Sequence, residues 1–166
     1  KDCFFEFSKE EDLDEYYCKK CKKHRQSTKR LSVYKFPQIL VIQLKRFAFN
    51  GYSRDKIQTP VYAPLVLTSE SLDVIADKIS CIEHEYGLYA IANHMGSCGG
   101  GHYIAHANIG TRVGDDWRRF DDSRVSGRLD ARTKGQGSSA YVFFYRKLSS
   151  GRHSKGSSSR RSMHRN

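Results

Sequence analysis

The chain has 166 residues, with 29 lysines and arginines against 18 acids and a formal charge of +11. Apolar residues at 38% and charged residues at 28% exclude a wholly disordered chain and describe one globular domain with room for a core. No stretch approaches the roughly 18 consecutive apolar residues of a membrane helix, so no membrane partner is expected.

Residues 2–17 mix Phe4, Phe5, Phe7 and Leu13 with seven acids, which predicts a helical turn or two with Asp2 as its N-cap. The knuckle Cys18-Lys19-Lys20-Cys21 follows. Residues 28–35 alternate, with Leu31 and Val33 on one face, the pattern of a half-buried strand. Residues 39–44 form a continuous β-branched run, read as a strand buried on both faces. Asn50-Gly51 marks a turn, and 69–77 is a short helix or a mobile loop. Residues 86–92, 102–107, 117–121 and 140–145 complete a set of short strands with no βαβ rhythm, so the sheet is expected to be antiparallel.

The last residues, 151–166, carry five basic side chains and no acid in a Ser/Gly-rich context. A disordered basic tail is expected over 148–166, after a folded body over 1–147. The opening Lys1-Asp2-Cys3 has neither an initiating methionine nor a secretory signal, which suggests a fragment or processed piece. Five cysteines at uneven spacing argue for reduced thiols in an intracellular compartment, cytoplasm or nucleus.

Three motifs carry chemistry. Cys18-x-x-Cys21 is half of a structural zinc site, which needs four ligands; His24 or Cys81-x-x-His84 are the local candidates to complete it. In Gly99-Gly100-Gly101-His102-Tyr103 three glycines leave the backbone bare before a histidine, so another chain can approach closely. In Trp117-Arg118-Arg119-Phe120-Asp121-Asp122 a strand ends on paired carboxylates. Hairpin pairing of these two segments brings imidazole and carboxylate together, and a carboxylate on one ring nitrogen leaves the other free as a base. Most such residues in a domain of this size are surface or structural groups, and it is the glycines that shift the balance. Cys98 shares a flexible loop with His102 and has no helix behind it, so it is read as a small loop residue and not as a nucleophile.

Six ordered blocks resemble the C-terminal half of the ubiquitin-specific protease family of cysteine proteases. They are Tyr17-Cys18-Lys19-Lys20-Cys21-Lys22-Lys23-His24, the run from Pro37 through Lys45-Arg46-Phe47, the run from Tyr86 through Asn93-His94-Met95-Gly96, Gly100-Gly101-His102-Tyr103, Trp117 through Val125, and Ala140 through Tyr145. The knuckle followed by Lys-Lys-His, with Arg54-Asp55-Lys56 later, is most like the multidomain members carrying ubiquitin-like insertions.

The resemblance implies an α+β, papain-like fold of mostly antiparallel sheet, with the palm and part of the fingers present and the thumb half missing. It implies hydrolysis of the isopeptide bond after the C-terminal glycine of ubiquitin, with ubiquitin and ubiquitinated proteins as partners. His102 would be the general base, Asp121 its orienting acid and Asp122 a supporting group. His94, Gly100, Gly101 and Tyr103 would line the channel for the ubiquitin tail. Cys18 and Cys21 would be two of four zinc ligands, and no cofactor is implied for catalysis. The family's Asn-x-Gly-x-x-Cys segment is absent, so the chain by itself is expected to be inactive. Two other classes fit parts of the sequence. One is an inactive ubiquitin-binding module. The other is a basic zinc or nucleic-acid-binding domain, against which the concentration of charge in the tail counts.

Overall fold

Alternating apolar residues and frequent turn signals build a seven-stranded sheet with two small ribbons beside it. The structure, a computed structural model, describes residues 2–49, 51–52, 54–77, 85–113, 115–129 and 137–149. In chain order these form α1 (Asp2–Ser8), β1 (Glu11–Cys18), β2 (Lys23–Lys29), β3 (Ile39–Gln43), β4 (Phe47–Phe49), β5 (Arg54–Lys56), β6 (Val66–Leu67) and α2 (Ser69–Leu72). They continue with β7 (Tyr86–Ser97), β8 (Gly100–Asn108), β9 (Trp117–Asp121), β10 (Arg124–Val125) and β11 (Ala140–Lys147). The basic stretch 151–166 and the pair Cys81 and His84 lie outside the described residues. Among the described residues no helix is long and apolar enough to cross a membrane.

The main sheet runs β10-β9-β8-β7-β11-β3, with β6 beside the start of β7. Every strand pair is antiparallel, as the sequence predicts. Period-two alternation puts one face of each strand on the core. On β11, Phe143 and Tyr145 point inward, opposite Ile42 and Leu40 of β3. Leu88 and Ile91 of β7, Trp117 of β9, and Leu72 and Ile75 from the α2 region complete that core, each 5% exposed or less. The helix α2 starts where Thr68 Oγ1 accepts from the Ser71 amide, a side-chain cap on an otherwise unpaired donor. Tyr145 anchors the sheet to the loop below it through its hydroxyl, which donates to the Pro64 carbonyl at 2.8 Å.

The two ribbons are β1-β2 and β4-β5. In the first, Glu11 faces Lys29 across the strands and accepts from its ammonium at 3.0 Å. Both strands of that ribbon are largely exposed, so it stands clear of the core.

The helical turn or two expected within 2–17 forms as α1, and 11–18 is strand, because those residues find cross-strand partners in β2. Two expectations need correction. The strand expected over 28–35 shrinks to the end of β2 and a single parallel bridge from Val33 to Ala76. Leu31 is exposed, since the chain there turns toward α2 and leaves no second strand to pair with. Residues 39–44 are not buried on both faces. β3 is the sheet's last strand, with Leu40 and Ile42 packed inward while Ile39 and Val41 remain 41% and 53% exposed.

Candidate active site

β7 and β8 form a hairpin whose register joins Ser97 to Gly100, leaving Cys98 and Gly99 as a two-residue loop. The glycine segment is therefore the first part of a paired strand, not the flexible loop expected from sequence. β9 returns antiparallel to β8, with Ala105 opposite Phe120. That register carries Asp121 to the same end of the sheet as His102. His102 Nε2 and Asp121 Oδ1 lie 2.5 Å apart.

With Nε2–H donated to the carboxylate, the neutral ring keeps its lone pair on Nδ1. The hydrogen bond to Asp121 raises the imidazole's proton affinity above that of an ordinary histidine, reinforced by the charges of Asp121 and Asp122 and opposed by desolvation and Arg119. Asp121 is held below the usual carboxylate range by the same bond and by Arg119 and Arg124. The ring's side chain is 46% exposed, so a reacting group can reach it. Asp122 sits in the turn after β9 with φ +50, a left-handed conformation that aspartate tolerates better than most residues. Its carboxylate completes a compact group with His102 and Asp121.

No described thiol is hydrogen-bonded to His102. Cys98 sits at the hairpin tip, four residues away and on the order of 10 Å along the strand.

Beside this pair, His94 and Tyr103 face each other across β7 and β8, with rings 4.7 Å apart. Phe47 and Tyr141 pack against His94 at 5.6 and 6.3 Å, making an aromatic layer. His94 is only 4% exposed, and its Nδ1 has no hydrogen-bond partner. Burial and the Lys56 ammonium depress its proton affinity below that of an ordinary histidine. Lys56 itself donates to the His94 carbonyl.

Gly101 lies directly under the imidazole of His94: a Cβ there would strike His94 Nε2 and the Met95 carbonyl. At Gly100 a Cβ would meet nothing within 4 Å, so the strand is open on that side. Tyr103 is 54% exposed and forms the outer wall. Gly101→Ala is expected to destabilise the fold by about 1–3 kcal/mol, through overpacking against ring and backbone. Gly100→Ala has no such clash and should cost well under that. Comparing the two denaturation midpoints checks the difference.

The second motif lies at the far end of the β1-β2 ribbon. The Cys21 amide points at Cys18 Sγ, 3.4 Å away, and Lys22 turns the chain with φ +53. Hydrogen bonds from the Cys21 backbone, the Cys21 side chain and the Lys20 backbone lower the Cys18 thiol's pKa, favouring the thiolate that a metal requires. His24 packs its ring on Tyr17 at 5.4 Å, and among the described residues no third donor closes around the two cysteines.

Sequence reasoning missed two groups. Arg119 donates from Nη2 to Asp121 Oδ2 at 2.5 Å. Its position two residues before Asp121 on a strand, hence on the same face, was the available signal. Arg46, 2% exposed, gives its guanidinium to four backbone carbonyls, those of Ala140, Ile57, Thr59 and Gly137.

The sequence profile of the ubiquitin carboxyl-terminal hydrolase family matches residues 4–145. Ubiquitin carboxyl-terminal hydrolase 8 of Arabidopsis thaliana is 42% identical over 152 residues, which cover 88% of this chain and 16% of that protein. Ubiquitin carboxyl-terminal hydrolase 4 of Mus musculus is 39% identical over 150 residues, covering 89% and 15%. Among solved structures, the SAGA DUB module bound to monoubiquitin superimposes with a TM-score of 0.73 at 30% identity, covering 89% of this chain and 32% of that one. The SAGA Ubp8/Sgf11/Sus1/Sgf73 DUB module bound to ubiquitin aldehyde gives 0.71 at 28%, covering 89% and 33%. The chain thus spans about a sixth of the length of the curated relatives it matches and about a third of the solved chains.

Proposed function

The chain belongs to the ubiquitin carboxyl-terminal hydrolase family, and from that premise we propose that it carries the general base and orienting acid of a deubiquitinating cysteine protease. The observation that carries this reading is the His102–Asp121 bond, which leaves Nδ1 free at an open edge of the sheet. The mostly antiparallel, papain-like fold of the solved relatives supports it. The nucleophilic cysteine is assigned to a segment outside these 166 residues.

In this mechanism His102 Nδ1 takes the proton of that thiol. The thiolate attacks the carbonyl of ubiquitin's terminal glycine, and the imidazolium then returns the proton to the departing lysine amine, leaving a thioester. In the second half His102 takes a proton from water, the oxygen attacks the thioester, and the thiol leaves with the proton back on sulfur. Asp121 keeps the ring's tautomer and stabilises its charged form throughout. The strand edge at Gly100, walled by Tyr103 over His94, is the place for the ubiquitin tail, where a backbone without side chains leaves room.

Cys18 and Cys21 fit half of a structural zinc site. Two thiol donors at a hairpin end, one with its pKa lowered by neighbouring hydrogen bonds, suit tetrahedral zinc, which would take its other two ligands from elsewhere and fix the tip of the ribbon. Residues 148–166 are assigned to a basic tail, although Leu148 still donates its amide to the Glu85 carbonyl and packs near Gly87. The free thiols fit an intracellular compartment.

The test is labelling by ubiquitin carrying a thiol-reactive C-terminal warhead, applied to the whole protein and to this chain alone. Labelling of the whole protein only, slowed strongly by His102→Ala, is the expected result. Labelling of this chain lost in Cys98→Ala would move the nucleophile into it. A whole protein that binds ubiquitin without reacting would make it an inactive ubiquitin-binding module.

A further inference from the structure

Asp121 has two carboxylate oxygens, and the structure uses both. Oδ1 meets His102 Nε2 at 2.5 Å, and Oδ2 meets Arg119 Nη2 at 2.5 Å. Arg119 is firmly based. Its amide donates to Ser126 Oγ at 3.0 Å, its carbonyl accepts from the Ser126 amide at 2.9 Å, and it pairs with His106 across β8. The guanidinium thus reaches the carboxylate from a fixed strand, two residues away on the same face.

We propose that Arg119 is a positioning residue for the deubiquitinating reaction: it pins the second oxygen of Asp121 and so fixes the rotation of the carboxylate that orients His102. The inference rests on the protease reading above. A carboxylate held at one oxygen alone can swing about its terminal bond and present either lone pair to Nε2. Held at both, it presents one, and the ring is fixed with Nδ1 facing the reacting groups. Arg119 also adds a positive charge close to the imidazole, which offsets part of the field of Asp121 and Asp122. The other charges near Asp121 are Arg124 on β10 and Asp122 in the turn after β9, while Met95, opposite His102 on β7, is uncharged.

The pair is partly exposed, 44% for Arg119 and 25% for Asp121, so its effect on stability is small and its effect on orientation is what an assay reads. The experiment compares ubiquitin-amide hydrolysis by the whole protein as wild type, Arg119→Gln, Arg119→Lys and His102→Ala, across pH. Arg119→Gln should lower kcat about tenfold, as expected for a loosened catalytic group, with KM unchanged. The limb of the pH profile set by the imidazole should move to higher pH, because a cation that opposed its protonation is gone. Arg119→Lys, which keeps a charge on Oδ2, should restore most of both. A glutamine variant with kcat within twofold of wild type and an unmoved limb overturns the proposal, as does a change confined to KM. Wild-type hydrolysis that survives in His102→Ala overturns instead the protease reading beneath it.

Discussion

Asp121→Asn in the whole protein lowers kcat/KM for ubiquitin-amide hydrolysis by roughly three orders of magnitude while leaving the sheet intact. The side chains have nearly the same shape, so packing is preserved. The amide, however, can present N–H to Nε2. The ring then takes the other tautomer, with its proton on Nδ1, and can no longer accept one from the thiol. The carboxylate is also the largest influence raising the imidazole's proton affinity. Its loss therefore moves the imidazole limb of the pH profile to lower pH, opposite to the direction expected for Arg119→Gln. Steady-state profiles of the two variants side by side separate the roles: both slow the reaction, and their limbs move apart.

The second large effect is on stability. Arg46→Ala is expected to cost about 3–5 kcal/mol, a large share of the roughly 5–15 kcal/mol that holds a domain folded. Arg46 Nε donates to the Ala140 carbonyl at 2.5 Å, Nη1 to those of Ile57 and Thr59 at 2.8 Å each, and Nη2 to that of Gly137 at 2.9 Å. Removing it takes a donor from four carbonyls, of which that of Gly137 keeps the Val61 amide, and opens a void in a site with 2% exposure. The effect reaches the active-site side of the sheet, because the Ser139 carbonyl, between two of those contacts, takes the His94 amide at 2.8 Å. Arg46→Lys keeps the charge but has one nitrogen for four widely placed oxygens, so its denaturation midpoint should fall between wild type and alanine.

The candidate site was more legible than the frame around it. His102 and Asp121 lie on two strands joined by a polar turn, and strand alternation with antiparallel return was enough to bring them together. The glycines before His102 were also noticeable, but their reason was not. Gly101 is small to admit the ring of His94, a contact between two strands that no local pattern reveals. Arg46 was invisible for a related cause: its partners are backbone carbonyls, which carry no residue signature, and one lies 94 positions away. Residues 39–44 misled because a continuous apolar run shows that a strand forms without showing how many faces are covered. That depends on what lies beside β3 and over Ile39 and Val41. The β1-β2 ribbon was concealed by its acids, which suit an exposed hairpin paired through charge as well as they suit a helix.

The ring of His94 over the bare Cα of Gly101 has a consequence for how this sequence can drift. Neither position can change alone without harm: a methyl at 101 collides, and a smaller residue at 94 leaves a hole beneath Tyr103. Changed together, the methyl would occupy part of the space the ring vacates, and the double variant would be less damaged than the sum of the two singles. Residues 94 and 101 are therefore coupled, and the Met95 carbonyl, which the same methyl would strike, holds 101 to glycine even where 94 changes.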